Sequence, residues 1–245
     1  RPYKMKISHK TILVTGSSKR IGQEIAYYLA KKNAKVVIHY NNSKLDAYKT
    51  YNNIKKNINP ECMIIKSNLE SVAESRNLVK KIVEKFGSLD IVINNASIFN
   101  KINFNKTTQK IWDKHFNINL RAPFILAQEL KNHLGNNPGK IINLNDWKTT
   151  RKSRFAYGIS KFSLSGLTKS LALELSPSIQ VNEIALGAIL PPSDIKPSDY
   201  NKTKNNFGPS ERMGNLSEIN NLIEMLITND YVTGETINLD GGRHL

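Results

Sequence analysis

Thr11-Ile12-Leu13-Val14-Thr15-Gly16-Ser17-Ser18-Lys19-Arg20-Ile21-Gly22 decides how this chain folds. An apolar β-type run leads into a turn bounded by two glycines, and helical spacing starts near Ile21. Glycine allows a tight turn and close backbone approach, and the first amides of the following helix can seat a pyrophosphate. Arg20 stands where a middle glycine would be usual. A purely structural strand-to-helix turn has no use for a bulky cation there, whereas in a binding turn Arg20 projects over phosphates and the reaction centre.

Working outward, short apolar runs recur at 11–14, 35–38, 63–65, 89–93, 140–144, 179–184 and 235–239. Such runs suit strands covered on both faces. Between them, 21–32, 71–86, 107–134, 155–176 and 216–227 carry helical spacing, with Gly87 and Pro177 as stop signals. The alternation predicts one α/β domain over 1–245, a Rossmann-type doubly wound parallel sheet of about seven strands flanked by helices. The stretch 187–214, with Pro191, Pro192, Pro197 and Pro209, breaks the pattern. It follows a strand, so it starts at the carboxyl edge of the sheet and is read as a substrate lid.

A second motif lies in the segment 155–176. Tyr157 and Lys161 are four residues apart, one helical turn, so both side chains share a face. A neighbouring ammonium favours phenolate, which lowers the tyrosine pKa from about 10 toward working pH and makes the phenol useful in proton transfer. With the glycine turn upstream, the pair indicates a nicotinamide-dependent reductase.

Bulk properties narrow the alternatives. The 245 residues carry 36 Lys and Arg against 20 Asp and Glu, a formal charge of +16. That excess invites a nucleic-acid reading, but the charge is scattered, with no basic block, RNP-like aromatic motif or paired-Cys spacing. No specific nucleic-acid partner is expected, and a non-enzymatic basic binding protein is the remote alternative. No apolar run approaches the roughly 18 residues a membrane span needs. The leader Arg1–Lys6 is basic with no apolar segment after it, unlike a secretory signal. The lone Cys62 excludes an internal disulfide and favours a reducing compartment. A cytoplasmic location is expected, with a removed targeting segment left open. His115 and His133 have no metal-ligand spacing, and no metal is expected.

Thr15-Gly16-x-x-x-Arg20-Ile21-Gly22, Asn94-Asn95-Ala96-Ser97 and Tyr157-x-x-x-Lys161 together resemble the short-chain dehydrogenase/reductase family over residues 10–245. Within it the details resemble pteridine and dihydromonapterin reductases: Arg20, His39-Tyr40, Asn95-Ala96-Ser97-x-Phe99, Asn145-Asp146 and the C-terminal Asp240-Gly241-Gly242-Arg243-His244-Leu245. The resemblance implies a cofactor cleft built from Gly16, Ser18, Lys19, Arg20, Ile21, Gly22, His39, Tyr40, Asn41, Asn42, Ser43, Asn68, Leu69, Asn95, Ala96, Ser97, Lys161, Gly187 and Ile189. The end of the second strand, His39 to Lys44, holds no acid before Asp46, which suits a 2′-phosphate and hence NADPH. Asn68 stands where the family has an Asp for the adenine amine, and Asn42 where pteridine reductases often have Arg.

The same resemblance assigns the chemistry. Tyr157 would protonate the substrate and Lys161 would hold the nicotinamide ribose. Asn119 would kink its helix and order a water, and Phe99 would stack a flat pterin. Asp146 occupies the place of the serine that binds a carbonyl oxygen; an ionised carboxylate is a poor oxyanion donor but suits a C=N substrate. Its spacing to Tyr157 is about two residues short of the pteridine-reductase pattern. Arg20, Ser97, Phe99, Asp146, Trp147, Tyr157, Leu190 and Pro191 make the substrate set. The expected function is NADPH-dependent reduction of a dihydropterin (dihydromonapterin, dihydrobiopterin or dihydrofolate) by a homotetramer. A 3-oxoacyl-carrier-protein reductase or other carbonyl reductase is the alternative.

Overall fold

β1 (Thr11–Val14) is buried at every position, as an apolar run covered on both faces must be. Its side chains alternate, so Ile12 and Val14 enter one core while Leu13 enters the other. α1 (Arg20–Lys31) buries Gly22, Ile25, Ala26, Leu29 and Ala30, the stripe of a helix lying along a sheet. The computed structural model describes residues 4–191 and 207–245.

The further strands are β2 (Lys35–Tyr40), β3 (Cys62–Lys66), β4 (Ile91–Asn94), β5 (Gly139–Asp146), β6 (Ile179–Leu186) and β7 (Thr236–Leu239). They form one seven-stranded sheet in the order β3-β2-β1-β4-β5-β6-β7, and every neighbouring pair is parallel. The order reverses between β1 and β4, which opens a crevice at their carboxyl ends, the usual ligand position in such sheets.

The helices are α2 (Lys44–Asn57), α3 (Val72–Phe86), α4 (Gln109–Phe116), α5 (Ala122–Leu134), α6 (Phe155–Leu175) and α7 (Leu216–Thr228). α1, α2 and α7 cover one face with Leu29, Ile54 and Ile223 among others. α3, α5 and α6 cover the other with Ile82, Leu130 and Leu171. α3 opens on Ser71, whose hydroxyl accepts from the Glu74 amide, and stops at Gly87 with φ +78°.

Three differences from the expected elements bear on the site. α2 has no counterpart among the expected helices, because it buries only Ala47, Thr50 and Ile54 and carries little apolar periodicity. The single helix expected over 107–134 is divided by a π-helical turn at Asn117–Arg121. β5 runs two residues beyond the expected strand end at 144, to Asp146, which pairs with Leu186 of β6. Of the lid expected over 187–214, residues 192–206 lie outside the described residues. Its two described ends are joined by the Gly214 amide donating to the Ala188 carbonyl at 2.8 Å.

Candidate active site

The glycine turn is held against β4 rather than left as a free loop. Thr15 Oγ1 accepts from the amides of Asn95 and Ala96, each at 3.0 Å. Asn95 Nδ2 donates to the carbonyls of Thr15 at 2.9 Å and Gly16 at 3.0 Å. A Cβ on Gly16, which has φ +63°, would lie 2.9 Å from Ala96 Cα, and one on Gly22 would lie 2.5 Å from the Gly16 carbonyl oxygen. No larger residue fits either position without moving backbone. Arg20 adopts φ +58°, a left-handed conformation unusual for a side-chain-bearing residue. Its guanidinium crosses the crevice and donates to the Pro191 carbonyl at 2.5 Å.

His39 departs from the expectation that it touches the cofactor. It is 2% exposed; its Nδ1 accepts from the Gly16 amide at 3.0 Å and its Nε2 donates to the Ser67 carbonyl at 3.0 Å. Burial pushes its pKa down to about 4, so a neutral imidazole props the turn from beneath, with no side-chain atom left for a phosphate. Tyr40 is buried too, edge-on to Tyr48 at 6.5 Å. Asn41, Asn42 and Ser43 remain at the surface of the β2 end. There Lys19 Nζ stands 4.0 Å from Asp46. Asn68 Oδ1, expected to meet an adenine amine, already accepts from the Glu70 amide at 3.0 Å. Leu69 is buried beside it, and Ser18 is buried in the turn, its carbonyl accepting from Thr50 Oγ1 at 2.9 Å.

The second cluster forms where the end of β5, the start of α6 and the π-helical turn meet. Tyr157 Oη donates to Asp146 Oδ2 at 2.9 Å across only eleven residues of sequence. The short spacing therefore does not keep Asp146 from Tyr157. The other carboxylate oxygen, Oδ1, accepts from Arg151 at 2.6 Å and from the Lys148 amide at 2.9 Å. Burial, then the Asp146 charge and hydrogen bond, raise the Tyr157 pKa well above its ordinary value, and Arg151 and Arg154 oppose them.

That result corrects the expectation that Lys161 lowers the Tyr157 pKa. Lys161 shares the helix face, but its Nζ donates to the Leu144 carbonyl at 2.8 Å. Burial pushes its own pKa down to about 8 against the pull of Asp146 and Glu183. Desolvation outweighs the pairwise attractions, which favours the neutral phenol at Tyr157.

Asn119 is 1% exposed. Its side chain accepts from the Ile98 amide at 3.0 Å and donates to the Ile98 carbonyl at 3.2 Å and Ser160 Oγ at 3.1 Å. It thereby fastens the loop carrying Ser97 and Phe99 to the Tyr157 helix. The Phe99 ring meets Tyr157 edge-on at 4.6 Å, and the Arg154 guanidinium lies 3.5 Å from its centroid. Ser97 is exposed. The Trp147 amide donates to the Leu186 carbonyl at 3.0 Å, and its ring lies 4.3 Å from the Arg243 guanidinium. Gly187 packs with its Cβ position 2.5 Å from Asp240 Cα. Ile189 and Leu190 close the base of the expected lid against the core.

Sequence reasoning missed several contributors. Arg151 and Arg154 were signalled by the basic run just before Tyr157. Gly158 accepts the β5–α6 loop: a Cβ there would stand 2.1 Å from the Thr149 carbonyl oxygen. Glu183 is fully buried beneath the site and accepts from Ser165 at 2.7 Å, Thr236 at 3.1 Å and Thr168 at 3.3 Å. It had no sequence signal beyond its place in an apolar strand.

Residues 16–244 match the family model described as enoyl-(acyl carrier protein) reductase, adh_short_C2. A 3-oxoacyl-(acyl-carrier-protein) reductase FabG of Staphylococcus aureus is 32% identical over 245 residues, covering 96% of this chain and 98% of the relative. FolM alternative dihydrofolate reductase 1 from Brucella canis, solved with NADP, superposes with a TM-score of 0.90 at 31% identity, covering 97% of this chain and 95% of that one. A short chain dehydrogenase from Burkholderia cenocepacia, also with NADP, gives 0.87 at 26% identity, covering 99% and 100%. With the glycine turn, the parallel sheet and the Tyr157–Lys161 face all in place, the chain belongs to the short-chain dehydrogenase/reductase family of oxidoreductases.

Proposed function

We propose that this chain is an NADPH-dependent pteridine reductase that converts a dihydropterin, free or as dihydrofolate, to its tetrahydro form. One observation carries the reading: the hydrogen bond from Tyr157 Oη to Asp146 Oδ2 at 2.9 Å. A carboxylate at this place opposes the negative charge that builds on a carbonyl oxygen during reduction, but it tolerates a ring nitrogen that is gaining a proton. The likeness to the FolM structure supports the same reading.

The residues present fit the dinucleotide. Gly16 and Gly22 leave room for backbone alone, and α1 starts directly after the turn at Arg20, where its first amides can serve a pyrophosphate. The β2 end offers Asn41, Asn42 and Ser43, with its first acid, Asp46, 4.0 Å from Lys19, which suits a 2′-phosphate better than a 2′-hydroxyl. When bound, NADPH supplies the hydride. Tyr157, kept protonated by burial and by Asp146, turns its hydrogen to the substrate nitrogen. Arg151 and Arg154 favour the phenolate left behind, since both pull the Tyr157 pKa down. Phe99 stacks the ring, Ser97 and Arg20 contact its edge, and Trp147, Leu190 and Pro191 wall the pocket. A homotetramer goes with this reading: Phe162 on α6 is 66% exposed and Leu173 85%, an apolar surface that a second copy would cover.

The FabG relative favours a second reading, reduction of a 3-oxoacyl thioester. The two separate in one assay: loss of nicotinamide absorbance when NADPH meets dihydrobiopterin, dihydromonapterin or dihydrofolate, with acetoacetyl thioester in parallel. Pterin-dependent oxidation is the expected result. Turnover of the thioester with silence on all three pterins would overturn the proposal.

A further inference from the structure

The geometry points to Arg151 as a positioning residue that aims Asp146 at Tyr157. The inference rests on the proton-donor role proposed for Tyr157. The two oxygens of Asp146 have divided tasks: Oδ1 accepts from Arg151 at 2.6 Å and from the Lys148 amide at 2.9 Å, and only Oδ2 faces Tyr157. Arg151 spends a second donor on its own loop, with Nε donating to the Lys148 carbonyl at 2.8 Å. Carboxylate, guanidinium and the backbone N–H and C=O of Lys148 therefore form one closed ring of hydrogen bonds. A planar guanidinium can serve both acceptors at once; a lysine ammonium matches the charge but not the fork.

Two further observations give this ring its importance. The side chains of Arg151 and Asp146 are 22% and 11% exposed, so water screens the pair weakly. The loop also rests on α6 at Gly158, where the Thr149 carbonyl oxygen occupies space that any side chain would need. The strand end, the loop and the tyrosine helix are thus locked at a single distance. Without the guanidinium, Oδ1 keeps only the Lys148 amide, so the carboxylate is held less firmly, and the phenolate formed after proton transfer faces a negative charge that Arg151 no longer offsets.

The experiment compares native protein, Arg151→Gln, Arg151→Lys, Asp146→Asn and the Arg151→Gln/Asp146→Asn double variant in steady-state dihydropterin reduction. NADPH dissociation constants and Tm are measured on each. A general acid contributes on the order of 10²–10⁴-fold to rate, and Arg151 governs part of it. Arg151→Gln should lower kcat about tenfold or more while KM and the NADPH Kd stay within about twofold. Arg151→Lys should recover only part of kcat, because the ammonium restores the charge but not the fork. The double variant should be at most about twofold slower than Asp146→Asn alone, because most of the effect of Arg151 passes through Asp146. Native kcat in Arg151→Gln, additive losses in the double variant, or a loss in Tm and KM that Lys does not rescue would each overturn the assignment. A native protein that reduces no dihydropterin overturns the underlying function instead, so the two failures are told apart.

Discussion

Replacing Lys161 by Met removes an ammonium whose pKa burial has pushed from its ordinary 10.5 down to about 8. A fall of that size corresponds to about 3 kcal/mol, at roughly 1.4 kcal/mol per pH unit. The unfolded chain holds this proton more tightly than the folded one, so native stability rises with pH between about 8 and 10.5, and the full penalty applies below pH 8. The Met variant lacks that dependence. It also leaves the Leu144 carbonyl without the donor now 2.8 Å away, a pH-independent loss of about 1–3 kcal/mol. The two effects nearly offset at neutral pH, so the slope with pH is the informative quantity. Urea unfolding of both proteins without nucleotide, at about pH 7, 8, 9 and 10, isolates it, since other titrating groups cancel in the difference. The native protein should gain about 2.5 kcal/mol on the variant between pH 7 and 10. Parallel stability curves would refute the reasoning, because they would mean that the Lys161 ammonium is hydrated in the fold.

Tyr157→Phe should lower dihydropterin turnover about 100-fold or more while NADPH binding, followed by fluorescence, stays within about twofold; near-native turnover would remove Tyr157 from proton transfer. His39, with its folded pKa of about 4, should show one neutral tautomer by imidazole NMR from about pH 8 to 5.5, and stability should decline as pH falls from about 6.5 toward 4. A His39 midpoint near 6.5 would show that the imidazole is not buried under the turn. Gly158→Ala should drive the loop carrying Arg151 off α6, at about 1–3 kcal/mol and several degrees of Tm, with turnover falling as Asp146 is displaced. Unchanged Tm and turnover would contradict the contact with Thr149.

Much of the fold was legible because its signals are local. The run 11–14 is apolar and β-branched, and a glycine turn after such a strand is needed wherever backbone must approach backbone, as Gly16 does Ala96. α2 was not legible, because a helix with three buried residues has almost no apolar stripe to read. The π-helical turn falls around Asn119, where the family resemblance expected a kink, but the apolar spacing of 107–134 alone did not show it. Of the site, Tyr157, Asp146 and Phe99 were named from the sequence and the structure brings them together, with ring centroids of Phe99 and Tyr157 4.6 Å apart. The packing of His39 was not legible, because its sequence neighbours place it at a strand end, and only the fold reveals that both ring nitrogens are already used.

The sequence by itself determined the succession of strands, the helices (α2 and the break in 107–134 excepted), the glycine turn and the tyrosine–lysine face, since each rests on residues a few positions apart. The tertiary structure decided the electrostatics. Whether Tyr157 is phenol or phenolate depends on how dry its surroundings are and which charge lies nearest, and here burial and Asp146 outweigh Arg151 and Arg154. Spacing along a helix puts Lys161 on the Tyr157 face; burial and Asp146 decide that the tyrosine's pKa is raised, while the Lys161 ammonium donates to the Leu144 carbonyl.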